Sequence, residues 1–174
     1  MLRVAVTGPE STGKSTLSAQ LAQHFHTVWV PEFARGYIGS LNRPYTLSDL
    51  EEIARGQLKA VEEALPRANR VLFCDTELLV IKIWSEYAFG TCPAWIRKDL
   101  ARQPYDLYLL LNVDLPWEPD PQREHPELRE FFYGWFKAEL QQYGFPVVEI
   151  SGRKEARLQR AVEAVEFLLN KPCL

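Results

Sequence analysis

Apolar positions along this chain follow two periods, one typical of strands and one typical of helices. Leu2–Thr7 clusters apolar and β-branched residues in front of a Gly-Pro pair, which predicts a buried strand that ends in a loop. From Lys14 onward, Leu17, Leu21 and Phe25 recur at every fourth position, which predicts a helix with one face on a sheet. The chain therefore begins with a strand, a glycine-containing loop and a helix.

The same two periods continue along the rest of the chain. They predict four further strands, at 27–30, 71–74, 106–113 and 146–150. Ser48 and Glu51 have the spacing of a capping box, which predicts the start of a helix that extends to about residue 65. More helices are predicted at 77–89, 93–102, 127–143 and 154–169. This alternation predicts an α/β fold of three layers, with a five-stranded, mainly parallel sheet and helices on both faces.

Composition and charge narrow the class of protein. The chain has 174 residues, of which 47% are hydrophobic, so we expect one domain spanning 1–174. Its 20 basic and 23 acidic residues give a net charge of −3, which disfavours a nucleic-acid partner or an anionic membrane. Cys74, Cys92 and Cys173 are widely spaced and odd in number, which predicts no disulfide framework. With no signal-like or membrane-spanning start, a cytoplasmic location is expected.

The strongest chemical signal is the string GPESTGKST, from Gly8 to Thr16, which fits the P-loop pattern G-x-x-x-x-G-K-[ST]. Its two glycines allow successive N–H groups to converge on an anion at a helix N-terminus. Lys14 can reach the β- and γ-phosphates, and the Ser15 hydroxyl can join the coordination of Mg²⁺. ATP and Mg²⁺ are therefore the predicted cofactors. A chance match in a turn is disfavoured by the flanking strand and helix. The expected nucleotide-binding residues are Gly8, Glu10, Ser11, Thr12, Gly13, Lys14, Ser15 and Thr16.

Carboxylates follow the second and third predicted strands, at the sheet edge where doubly wound proteins bind ligands. Asp75 is predicted to hold Mg²⁺ with Ser15, although it could instead cap the following helix. Glu32 is a candidate general base, and a solvated surface glutamate is the alternative. Arg35 and Tyr37 are candidate contacts to the phosphoryl acceptor. On a short helix, however, Arg35 could simply form an ion pair with Glu32.

The segment at about 115–130 follows the fourth predicted strand and contains four prolines and several charged residues. We predict that it forms a lid, in which Arg123 and Arg129 stabilise charge on the migrating phosphoryl group while water is excluded. An ordinary solvated loop has similar composition and remains the alternative.

Several aromatic side chains could stack on an aromatic substrate. Residues of this type in apolar helices and strands are usually part of the core, which is the interpretation favoured by the sequence. The residues in question are Trp29, Tyr45, Trp84 and Trp95.

Four motifs in this order, GPESTGKST, PEFARGY, FCDTE and DLPWEPDPQREHPELREFF, together resemble the ribosylnicotinamide kinase domain of the NadR type. The resemblance covers essentially the whole chain. It implies a nucleoside-kinase-like P-loop fold with Mg-ATP as donor. It also implies phosphorylation of the 5′-hydroxyl of nicotinamide riboside, a small-molecule substrate, to give nicotinamide mononucleotide.

The resemblance also implies roles for single residues. Lys14, Ser15 and Asp75 would serve ATP and the metal, and Arg123 and Arg129 would be lid arginines. The positions implied for the acceptor are Glu32, Arg35, Tyr37 and Asp75. Because the P-loop begins at residue 8, we do not expect the nucleotidyltransferase domain that precedes this kinase in bifunctional members.

Two alternatives stay open. The first is a kinase of another nucleoside or of a polynucleotide 5′-end, although the second of these acceptors would favour a basic groove that the net charge does not supply. The second is a regulatory nucleotide-binding ATPase switch. A GTPase is disfavoured because the nearest match to N-K-x-D, at 111–114, lacks the lysine.

Overall fold

The computed structural model describes residues 1–102 and 105–170. In this part of the chain five strands are connected by seven α-helices, of which the short helix Phe33–Gly39 is not among those that the sequence pattern predicts. The strands are β1 (Leu2–Thr7), β2 (Trp29–Val30), β3 (Val71–Asp75), β4 (Leu107–Leu111) and β5 (Val147–Ile150). The helices are α1 (Lys14–His24), α2 (Phe33–Gly39), α3 (Leu47–Ala64), α4 (Leu78–Phe89), α5 (Ala94–Ala101), α6 (Arg129–Tyr143) and α7 (Lys154–Leu169).

The five strands form one parallel sheet in the order β2-β3-β1-β4-β5. At the centre of the sheet, Val4 of β1 lies between Phe73 of β3 and Leu107 of β4. All five residues of β3 and all five of β4 are buried, as expected of parallel strands covered on both faces. Because every strand runs the same way, all five carboxyl ends meet at one edge of the sheet.

Each face of the sheet has its own apolar core. One core joins the sheet to α3, α4, α5 and α6, with Ile53, Leu79 and Phe136 among its buried members. The other joins the sheet to α1 and α7, through residues such as Leu21 and Val165. The predicted three-layer P-loop fold is therefore confirmed.

The start of α3 differs from the prediction. The capping box uses Thr46 and Asp49 rather than Ser48 and Glu51. The Asp49 carboxylate accepts hydrogen bonds from the Thr46 backbone N–H and hydroxyl, each at 2.7 Å, and also pairs with Arg43 at 2.7 Å. Because Thr46 is in an extended conformation, with φ −118° and ψ 172°, the helix begins directly after it. The Ser48–Glu51 prediction was wrong by two residues.

Two other local predictions were also inexact. The second strand is shorter than predicted because the Thr27 hydroxyl bonds the Val71 carbonyl at 2.7 Å and accepts from the Asn69 N–H at 2.8 Å. These side-chain bonds take the place of a backbone ladder before Trp29. The helix predicted at 127–143 begins two residues later, at Arg129, and its apolar residue Phe131 is 55% exposed.

The thiols of Cys74 and Cys92 are free and buried, and Cys173 lies outside the described residues. Burial raises the pKa of the Cys74 thiol to about 12, so the group stays protonated at neutral pH. None of the helices in the described part of the chain combines the length and the hydrophobicity needed to cross a bilayer.

Candidate functional site

The P-loop connects the end of β1 to the start of α1 and has the backbone geometry of an anion site. Gly8 has a φ of 132°, and a Cβ there would lie 3.0 Å from the carbonyl oxygen of Leu111. Gly13, with a φ of 82°, precedes the first residue of α1, and no side chain caps this helix. The N–H groups of the first turn are therefore left for an anionic ligand, and both glycines are needed for steric reasons.

Lys14 lies against the loop from which it projects. Its Nζ donates to the carbonyl oxygens of Gly8, at 3.0 Å, and Pro9, at 2.8 Å. The ammonium group is therefore held over the concave side of the loop, in the place where a phosphate would contact the N–H groups. Contact of Lys14 with the β- and γ-phosphates stays a prediction.

The predicted metal pair is brought together. The Ser15 hydroxyl donates to Oδ2 of Asp75 at 2.6 Å, across a separation of 60 residues in the chain. Asp75 is only 1% exposed, and burial raises the pKa of its carboxyl group while the Lys14 charge and the Ser15 hydrogen bond oppose the rise. The alternative that Asp75 caps α4 is wrong, because that cap is Glu77, whose carboxylate accepts from the Leu79 N–H.

The donor set at this pair fits Mg²⁺. Oδ1 of Asp75 is buried and has no hydrogen-bond partner among the residues that the structure describes. Hydroxyl and carboxylate oxygens are the hard ligands that Mg²⁺ prefers, and this ion commonly uses one or two protein groups together with phosphate oxygens and water. In the described part of the chain no cluster of three or more acidic, histidine or cysteine side chains offers an all-protein cage. Ser15 and Asp75 could therefore hold a metal ion whose remaining coordination positions are filled by phosphate oxygens and water.

Three of the four candidate acceptor residues lie at or in helix α2, in different surroundings. Glu32 precedes the first residue of α2, makes no capping hydrogen bond and lines the cavity beside the P-loop, which we call the main cavity. Arg35 also lines this cavity, but its ion pair is with Asp120 of the lid, at 2.9 Å, rather than with Glu32. The Tyr37 hydroxyl donates to Asp49 at 3.0 Å, and Tyr37 lies outside the cavity lining. Glu32 and Arg35 therefore face the site, whereas Tyr37 supports α3.

The segment 115–130 lies over the P-loop, as a lid would. The Ser11 hydroxyl accepts from the Glu118 N–H at 2.9 Å. The Glu10 carboxylate accepts from the N–H groups of Glu124, at 3.2 Å, and His125, at 3.4 Å. The side chains of Glu10 and Ser11, two residues predicted to serve the nucleotide, thus contact the lid.

The two lid arginines have different surroundings. Arg123 lines the cavity, and its guanidinium donates to the Glu118 carbonyl and, at 3.4 Å, to the Ser11 hydroxyl. Arg129 lies outside the cavity lining, where its guanidinium donates to the carbonyl oxygens of Leu115, at 2.9 Å, and Ser11, at 3.4 Å. Arg123 is therefore placed to meet a ligand, whereas Arg129 ties the base of the lid to the P-loop.

The P-loop, α2, α4 and the lid enclose a cavity of about 580 Å³, large enough for a nucleotide or nucleoside. Trp84 and Tyr45 line it, although the sequence favoured a core position for both. The lid residue His125 stacks on Trp84, with ring centroids 5.8 Å apart and an interplanar angle of 27°. Val80 and Trp84 are four residues apart on the helix that starts at the ligand edge, and both line the cavity, but the same spacing is typical of a core face.

Arg157 is a cavity-lining residue that the sequence analysis did not identify. It is 5% exposed, and its guanidinium donates to the carbonyl oxygens of Thr12, at 2.8 Å, and Asn112, at 3.0 Å, and to the Asp114 carboxylate at 2.7 Å. It joins α7 to the P-loop and to the end of β4. The only local signal is its place in the first turn of a helix that follows the fifth strand.

Known proteins resemble the chain in sequence. The trifunctional NAD biosynthesis/regulator protein NadR of Salmonella typhimurium is 32% identical over 124 residues, which are 69% of this chain and 30% of that protein. The protein of the same name from Escherichia coli is 27% identical across 97% of this chain and 43% of its own length. The chain thus spans less than half the length of these two relatives.

Solved structures share the fold. A crystal structure of NadR protein in complex with NR superposes with a TM-score of 0.81 at 23% identity, covering 99% of this chain and 52% of that one. Thymidylate kinase from Ehrlichia chaffeensis gives a TM-score of 0.66 at 15% identity, covering 96% of this chain and 98% of that one. At these identities the likeness establishes the fold.

The family model described as AAA domain matches residues 3–157. This match includes the P-loop, both carboxylate-bearing strand ends and the lid. The chain therefore belongs to the AAA domain family of P-loop proteins.

Proposed function

We propose that residues 1–174 form a single kinase domain that uses Mg-ATP to phosphorylate the 5′-hydroxyl of nicotinamide riboside, giving nicotinamide mononucleotide. The observation that carries the proposal is the 2.6 Å contact between Ser15 and Asp75, which lies at the sheet edge where Glu32 borders the same cavity. A candidate phosphate cradle, two candidate metal ligands and the Glu32 carboxylate thus lie at one edge of the sheet, which supports the proposal.

The P-loop would bind the donor. The N–H groups of the loop and of the first turn of α1 would hold the phosphates, and Lys14 would leave its two carbonyl partners to meet the β- and γ-phosphates. Mg²⁺ bound by Ser15 and Asp75 would supply positive charge to phosphate oxygens during transfer. Arg157, which bonds the Thr12 carbonyl, would keep the loop in its binding shape.

Glu32 would act on the acceptor. The acceptor hydroxyl oxygen forms a bond to the γ-phosphorus while the bond from that phosphorus to the β–γ bridging oxygen breaks, and Glu32 accepts the hydroxyl proton. Its carboxylate has no capping role in α2 and is therefore available for this transfer. Because phosphoryl transfer depends mainly on positioning and charge, removal of this base slows the reaction without abolishing it.

The lid would complete the site from above. Arg123 would place positive charge beside the migrating phosphoryl group, and residues 115–130 would exclude water. Arg129 would act indirectly, by holding the base of the lid on the P-loop.

Two lines of support favour nicotinamide riboside as the acceptor. The lining of the cavity includes the aromatic residues Trp84 and Tyr45 and the Glu32 carboxylate, which suit a cationic pyridinium ring. In addition, the relatives have NAD biosynthesis in their name, and one solved NadR structure is a complex with NR.

A panel of acceptors tests the proposal. The protein is incubated with Mg-ATP and nicotinamide riboside, ordinary nucleosides or a 5′-hydroxyl oligonucleotide, and ADP release and product mass are measured. We expect a product heavier by one phosphoryl group with nicotinamide riboside and little with the others. Preferred turnover of another nucleoside would contradict the acceptor, and slow hydrolysis alone in every reaction would contradict the kinase assignment.

Two variants test the mechanism. Lys14→Ala should abolish measurable transfer, because a charge that contacts both phosphates is lost, whereas Glu32→Gln should lower kcat by roughly 10²-fold or more with ATP affinity nearly unchanged. The controls are Lys59→Ala and Glu52→Gln on the exposed face of α3, which should have wild-type rates. A wild-type kcat for Glu32→Gln would remove Glu32 from the role of base.

A further inference from the structure

Thr76 has an unusual backbone conformation for its residue type. It follows Asp75 at the end of β3, and its φ is 74°, in the left-handed region. A β-branched side chain is rarely found there because its Cβ substituents crowd the backbone. The conformation is held by a hydrogen bond from the Thr76 N–H to the Val6 carbonyl at 3.2 Å. A glycine would adopt the same conformation with less strain.

The Thr76 side chain is also unsatisfied. The residue is 2% exposed, and its Oγ1 has no hydrogen-bond partner among the residues that the structure describes. Leaving a buried hydroxyl without a partner destabilises a fold, and valine would have nearly the same shape without that penalty. Thr76 is therefore unfavourable in two independent ways, and no hydrogen bond from its side chain to the described residues offsets either one.

The position of Thr76 indicates what could satisfy the hydroxyl. The residue lines the main cavity, directly after the Asp75 carboxylate that meets Ser15 at 2.6 Å. Its hydrogen bond to β1 places it beside the strand that leads into the P-loop. Rotation about χ1 moves the hydroxyl to another staggered position, so the donor can turn toward a ligand in the cavity.

We propose that the Thr76 hydroxyl donates a hydrogen bond to the terminal phosphoryl group of the bound nucleoside triphosphate. An anionic phosphate oxygen is a strong acceptor, which would satisfy a donor that the fold leaves without one. This inference rests on the proposed function, because it assumes that the terminal phosphoryl group lies between the P-loop and Glu32. It adds a substrate-contacting residue outside the P-loop that distinguishes a triphosphate from a diphosphate.

Binding of ATP and ADP to three variants tests the inference without requiring turnover. Dissociation constants are measured with Mg²⁺ for the wild type and for Thr76→Val, Thr76→Ser and Thr76→Gly. Thr76→Val should weaken ATP binding by about tenfold and leave ADP binding within about twofold of the wild type. Thr76→Ser, which retains the hydroxyl, should preserve the wild-type ratio of the two constants.

Melting temperatures separate this role from a structural one. Thr76→Val should melt at or above the wild-type temperature, because a methyl group replaces an unsatisfied hydroxyl. If Thr76→Val does not fold, Thr76→Gly makes the same test, since it also lacks the hydroxyl and tolerates the left-handed conformation. Loss of discrimination between ATP and ADP without loss of stability is the expected result.

Two outcomes would overturn the inference. One is a wild-type ratio of ATP to ADP affinity in both variants that lack the hydroxyl, and the other is an equal loss of affinity for both nucleotides. The kinase assignment is judged separately, by phosphorylation of an acceptor by the wild-type protein. A wild type that binds ATP but phosphorylates nothing would contradict the proposed function, and the nucleotide ratios would still decide the role of Thr76.

Discussion

Replacement of Gly56 by alanine should destabilise this protein, although the same change in the interior of a helix normally stabilises by about 0.8–1 kcal/mol. Gly56 lies in α3, where the ring of Phe33 from α2 packs over it. A Cβ at this position would lie 2.2, 2.4 and 2.5 Å from three ring carbons of Phe33, far inside the roughly 3.5–4.0 Å of normal carbon contacts. The ring must therefore move.

The movement of Phe33 is restricted on one side. The Phe33 backbone N–H donates to the Gln57 side chain at 2.8 Å, which holds the start of α2 to α3. Because Phe33 is 38% exposed, its ring can move only by turning outward, toward solvent. Overpacking of this kind costs about 1–3 kcal/mol, which exceeds the gain in helix propensity. We expect a net loss of about 1 kcal/mol, or a fall in melting temperature of about 2–4 °C for a chain of this size.

Thermal unfolding followed by circular dichroism measures the effect. Gly134→Ala in α6 is the matched control, because no heavy atom lies within 4 Å of its added Cβ, and it should raise the melting temperature. In a Phe33→Ala background, Gly56→Ala should become neutral or stabilising because the clash is gone. A Gly56→Ala protein that melts at or above the wild-type temperature would refute the reasoning. So would an equal loss in both backgrounds.

Two further predictions concern charge. The Arg43 guanidinium and the hydrogen bonds from Thr46 hold the pKa of Asp49 below its usual range, so the pair stabilises the fold above about pH 4 and loses this effect as the carboxylate protonates. Asp49→Asn should therefore lower the melting temperature at pH 7, and its difference from the wild type should narrow below about pH 4; a difference that stays constant down to pH 3 would contradict the assignment. For the lid, Arg35→Glu should raise KM several-fold, because the new carboxylate repels Asp120 in place of the ion pair. The double variant Arg35→Glu with Asp120→Arg reverses the two charges and should bring KM back most of the way to the wild-type value. No restoration in the exchanged pair, measured by steady-state kinetics, would show that Arg35 acts on substrate directly.

The sequence predicted most of the fold and part of the site. Features that depend on residues close together in the chain were predicted, whereas contacts between residues far apart in the chain were not. Gly8 and Gly13 belong to one contiguous motif, and the strand ends that carry Glu32 and Asp75 follow from periodicity and the parallel sheet. Arg35 illustrates the limit. Its spacing from Glu32 suggested a local ion pair, but the fold provides Asp120, 85 residues away, as its partner.

The side chains of the cavity wall could not be predicted for a related reason. Trp84 lies on an apolar helix whose composition does not distinguish a core face from a cavity face. Arg157 contacts Thr12 across 145 residues, and nothing in its local sequence marks that contact. Both assignments depend on which elements pack side by side, and local periodicity leaves that open.

The lid contacts of Glu10 and Ser11 have a consequence for how this P-loop evolves and for how it could be transplanted. The consensus motif leaves both positions free, yet here their side chains hold residues 118–125. A loop exchanged from another P-loop protein could keep every consensus residue, cradle phosphate equally well and still release the lid. Because the donors at 118, 124 and 125 are backbone N–H groups, substitutions at 10 and 11 should keep a side-chain acceptor for the lid, although more than 100 residues separate the two segments.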